Sequence, residues 1–132
     1  MGAWGAGIFD NDSACDWVYD FLEGGLDVVR ETLDEALAED DYLDVDVGAP
    51  VLAAAAVVAR LLGDPVQQGA STADIDKWVR ANPQTPPPQL VAKALAAIDR
   101  VMGDESELVE LWEGDPEFTA EVTKLRARLG AP

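Results

Sequence analysis

The thirteen residues from Val47 to Ala59 carry no charge, and from Pro50 to Leu62 the chain is apolar nearly all round. A helix of that kind has no side to give to water, so it must be covered from several directions. The run is interrupted by Gly48 and Pro50, ends at Arg60, and falls short of the roughly 20 apolar residues that span a bilayer. It therefore predicts a buried central helix, in which the alanines at 53–56 permit close approach of neighbours.

The remaining segments have the pattern needed to cover it. Ala14, Trp17, Val18, Phe21 and Leu22 recur at helical spacing behind the capping oxygens of Asp10, Asn11, Asp12 and Ser13, and Gly24–Gly25 ends that helix. A second helix over about 26–38 has Leu26, Val29, Leu33, Ala36 and Leu37 inside and Asp27, Glu31, Asp34 and Glu35 outside. An acidic loop over 39–46 follows, tucking in Tyr42 and Leu43, and Gly63, Asp64 and Pro65 stop the central helix. Ser71 and Asp74 resemble a capping box before Ile75, Trp78 and Val79. The proline-rich stretch 82–88 reads as a stiff inter-helix link. Leu90 to Met102 form an amphipathic helix closed by Gly103, and Asp104 with Glu107 cap a short one bearing Leu108, Leu111 and Trp112. Asp115 followed by Pro116 starts a last helix with Phe118, Val122, Leu125 and Leu129 inside and basic residues near its end. No stretch alternates as a half-buried strand would. The expected fold is all-α: one compact orthogonal or bundle-like domain, 1–132, of about seven helices with an irregular glycine-rich arm over 1–9.

Charge narrows the function. Twenty-six acids face nine bases, a net of −17, and residues 1–66 alone carry −13. Such a field repels nucleic acid and anionic membranes and attracts cations or a basic protein. No histidine is present, which removes Ser-His-Asp and Cys-His catalysis and any histidine metal ligand. The single cysteine, Cys15, forms no intrachain disulfide, in keeping with a reducing compartment, and its acidic setting favours a packed rather than a reactive thiol. With no basic-then-apolar leader at the start, the expected location is cytoplasmic.

Local sites divide into two kinds. Trp4, Asp10, Asn11, Asp12, Asp16 and Asp20 are candidates for partner binding, Trp4 as an aromatic anchor in the arm. Asp12, Asp16, Asp20 and Glu23 form a carboxylate stripe that the spacing sets opposite the Trp17 face. Asp10 and Asp12 are also candidate ligands for a hard cation, although Ala14 breaks the alternating calcium-loop pattern. Asp40, Asp41, Asp44 and Asp46 make a second oxygen cluster. No cofactor is implied. The glycines at 2, 5 and 7 lack the Gly-Lys-Ser/Thr of a phosphate cradle, and they equally suit an arm lying close along a helix.

The opening residues, with Gly2, Trp4, Gly5, Gly7, Phe9, Asp10, Asn11 and Asp12 followed by Ala14, Asp16 and Trp17, resemble a bacterial family catalogued as domain of unknown function 4259. The segments 53–63, 106–112 and 125–129 are similar to it as well. The resemblance implies a small bacterial single-domain protein and brings no activity with it. The expectation is thus a non-enzymatic module whose acidic N-terminal half docks a basic partner, in the manner of an immunity or antitoxin-like inhibitor. The alternative is a divalent-cation-dependent enzyme or ligand-binding protein using its aspartate clusters, and a homo-oligomer building block is a third reading.

Overall fold

The computed structural model describes residues 12–39, 41–63, 70–112 and 115–130, with the backbone alone at 70–72. Seven helices follow one another: α1 (Asp12–Gly24), α2 (Leu26–Ala38), α3 (Val45–Leu61), α4 (Ala70–Ala81), α5 (Pro88–Val101), α6 (Glu107–Leu111) and α7 (Pro116–Arg128). The all-α expectation holds, and no strand occurs among the described residues.

As its composition demands, α3 is the axis. It packs against each of the other six helices, and every residue from Gly48 to Ala59 is buried. Small side chains set how closely its neighbours come. Ala53, Ala54, Ala55 and Ala56 on α3, Ala94 and Ala97 on α5 and Ala36 on α2 are all buried in one core cluster, and short side chains at a contact bring helix axes together. Larger residues complete the same cluster, with Trp17, Phe21 and Val18 from α1 and Phe118, Val122 and Leu125 from α7.

Two boundaries follow directly from local chemistry. Asp115 caps α7 by accepting from the backbone N–H groups of Glu117 (2.9 Å) and Phe118 (3.2 Å), with Pro116 in the first helical position. Gly25 separates α1 from α2 at φ 65°, a left-handed conformation, and a Cβ there would lie 3.3 Å from the Trp78 ring. Only glycine meets both demands without strain.

Other boundaries depart from expectation. The central helix begins at Val45, five residues before Pro50, so Asp46 belongs to a helix and Pro50 lies inside one. Pro50 lacks the N–H that would bond back to the Asp46 carbonyl, a loss that ordinarily marks a helix start. Contacts from elsewhere hold this extra turn: Glu107 Oε1 accepts from Val45 N at 2.8 Å, and Ser13 Oγ donates to Asp46 Oδ1 at 3.0 Å. Glu107 is thereby diverted from capping its own helix, whose N-cap is Ser106 rather than Asp104. Ser71 lies in the first turn of α4 instead of ahead of it. Leu43 is buried as expected, but Tyr42 is 42% exposed, and Leu37 and Leu111 also stand at the surface at 39% and 63%.

The α2–α3 and α5–α6 connections are joined to one another. Leu43 pairs with Ser106, its N–H donating to the Glu105 carbonyl (2.7 Å) and its carbonyl accepting from Glu107 N (2.9 Å). Beside this bridge the Arg100 guanidinium donates to the carbonyls of Glu39, Asp41, Asp104 and Glu105. Arg100→Ala should cost about 1–2 kcal/mol, less than its bond count suggests because those carbonyls return to water. Arg100→Lys should restore little, since an ammonium lacks the planar fork that reaches several acceptors. Hydrogen exchange at the Leu43 and Glu107 amides gives the check: protection should fall in both variants, and unchanged protection contradicts the assigned role.

Candidate functional site

A groove of about 420 Å³ opens between α1, α2 and α3, lined by Ser13, Asp16, Trp17, Asp20, Thr32, Glu35, Asp46, Val47 and Pro50. Its floor is held firmly. Trp17, only 6% exposed, stacks on Phe21 with ring centroids 5.4 Å apart and planes 10° from parallel. The indole N–H donates to Thr32 Oγ1 at 2.7 Å, and the Thr32 hydroxyl donates in turn to the Val28 carbonyl at 2.8 Å. Ring and hydroxyl are therefore fixed by α1 packing against α2, while the hydrogen bond from Ser13 to Asp46 ties α1 to α3. Val47 and Pro50 form the apolar side.

The walls carry one sign of charge. Asp16 and Asp20 come from α1, Glu35 from α2 and Asp46 from α3, and no Lys or Arg lines the groove. Among the described residues, five of the nine cations pair with carboxylates elsewhere: Lys93 with Asp34 (2.7 Å), Arg30 with Asp27 (3.6 Å), Lys124 with Glu121 (3.9 Å), Arg60 with Asp76 and Arg126 with Asp99. None of these pairs involves a groove carboxylate. Four like charges converging on a concave surface raise the local concentration of cations, because low-dielectric walls focus the field between them.

This arrangement revises the α1 stripe. Asp16 and Asp20 flank Trp17 in one groove rather than standing on the opposite side of the helix, while Asp12 and Glu23 do not line it. The outer acids of α2 divide in the same way, Glu35 turning to the groove and Asp34 to Lys93 of α5. Of the six residues singled out for partner binding, Asp16 and Asp20 come together here, and Asp12 is exposed at the start of α1. Trp4, Asp10 and Asn11 lie outside the described residues, as does the arm over 1–9. Glu35, Ser13 and Thr32 are the members that sequence reasoning missed as site residues, while Asp46, read there as part of the 40–46 oxygen cluster, belongs to the groove instead.

The aspartate run at 40–46 does not converge. Asp40 is outside the described residues. Asp41 gives its carbonyl to Arg100, Asp44 is the N-cap residue of α3, and Asp46 belongs to the groove. Among the described residues no group of three or more Cys, Asp or Glu side chains is placed to hold a metal ion, and no helix is long and apolar enough to cross a membrane.

A second acidic patch surrounds Tyr42. Its phenol is held above its ordinary value of 10.0 by desolvation first, then by a hydrogen bond with Glu110 and the negative charges of Glu110, Glu107 and Asp44. A raised phenol pKa favours the neutral form in the folded chain. That contribution is complete below the unfolded value near 10 and disappears as pH climbs through the folded value. In a Tyr19→Phe background, which leaves one tyrosine, ultraviolet titration should place the Tyr42 midpoint above 10.0. Adding Glu110→Gln should bring it down, and an unmoved midpoint would rule out Glu110 as a cause.

The profile of a family described as Domain of unknown function (DUF4259) matches residues 2–124. No curated protein and no solved structure matches the chain.

Proposed function

The chain belongs to the DUF4259 family, whose description assigns no activity, and we propose from the groove that it is a cytoplasmic, non-enzymatic module that docks a basic protein. The observation that carries this reading is the convergence of Asp16, Asp20, Glu35 and Asp46 from three helices on one concavity without a compensating base. A lysine or arginine side chain from a partner gains charge-assisted hydrogen bonds to the carboxylates and rests against the fixed Trp17 floor. The −13 carried by residues 1–66 steers such a partner from a distance. One concrete form is an immunity or antitoxin-like inhibitor covering the basic surface of a nuclease.

The test compares two variants of equal net charge. One combines Asp16→Asn, Asp20→Asn, Glu35→Gln and Asp46→Asn in the groove. The other combines Glu23→Gln, Glu31→Gln, Asp74→Asn and Asp104→Asn, all exposed and outside it. Immobilised full-length protein is offered cell extract at low salt and then at about 0.3 M, where the screening length is well below 10 Å. Wild type and the outer variant should retain a basic protein that the groove variant releases, with wild-type capture weakening as salt rises. Equal loss in both variants would reduce the effect to diffuse charge. Capture indifferent to the groove substitutions and to salt would end the proposal.

A further inference from the structure

We draw no further inference here: the strongest candidate, the carboxylate cluster in the groove between α1, α2 and α3, belongs to the site already described, and no second observation there points to a particular ligand.

Discussion

Phe21→Ala is expected to remove about 3–5 kcal/mol of stability, a large share of the 5–15 kcal/mol typical of a folded domain. Phe21 is fully buried and lies between two other rings, stacked with Trp17 at 5.4 Å and tilted against Trp78 at 4.7 Å. Its loss leaves a cavity at the junction of α1 and α4, and the Trp17 indole, tied to Thr32, cannot collapse into it freely. The urea midpoint should fall with an unchanged slope, which separates lost stability from a change in the unfolded state. Because Trp17 is also the groove floor, capture of a basic partner should weaken together with stability. A loss below about 1 kcal/mol would mean that the aromatic cluster is not packed as described.

Val57→Asp is expected to abolish folding. The substitution adds one carboxylate to a chain that already has 26 acidic residues, so net charge hardly changes. What changes is the surroundings. Val57 has no exposed surface, in the middle of a helix contacted by all the others. No basic side chain belongs to the buried cluster around it. An unpaired ionised carboxylate there costs several kcal/mol, whether it stays charged or takes up a proton, on top of the lost apolar burial. Circular dichroism and a proton spectrum should show an unfolded chain at neutral pH. Val57→Ala separates the terms: it removes the same apolar contacts without adding a charge and should leave a folded, weakened protein. A Val57→Asp chain as stable as wild type would disprove the central placement of α3.

The same contrast explains how much of the molecule was legible in advance. The apolar run 50–59 announced its burial because an all-apolar surface leaves no other choice, although Leu62 just beyond it is 40% exposed, and α7 announced its start because Asp115 and Pro116 act only on their own neighbours. Helix boundaries set by distant partners were not legible. Nothing near Val45 in the sequence says that a carboxylate 62 residues away will accept its N–H, and so Pro50 looked like the natural first residue of α3. The candidate site was half visible for a related reason. Spacing on α1 shows that Asp16 and Asp20 share a side, but the groove exists only once α2 and α3 are rotated to present Glu35 and Asp46 to them. Periodicity fixes which residues of one helix lie together. It says nothing about how a neighbouring helix is turned.

The joined loops have a further consequence for how the chain holds together. The stretch 82–88 links the first four helices to the last three, and its residues are exposed apart from Pro86. Far more binds the two halves than this peptide: α5 lies against α2 and α3, Arg100 grips the carbonyls of Glu39 and Asp41, and Leu43 is paired with Ser106. A protease cutting at the prolines would sever the backbone where it does little of the joining. The two fragments would stay clasped as a non-covalent pair, and the groove, built wholly from the first, would keep its walls.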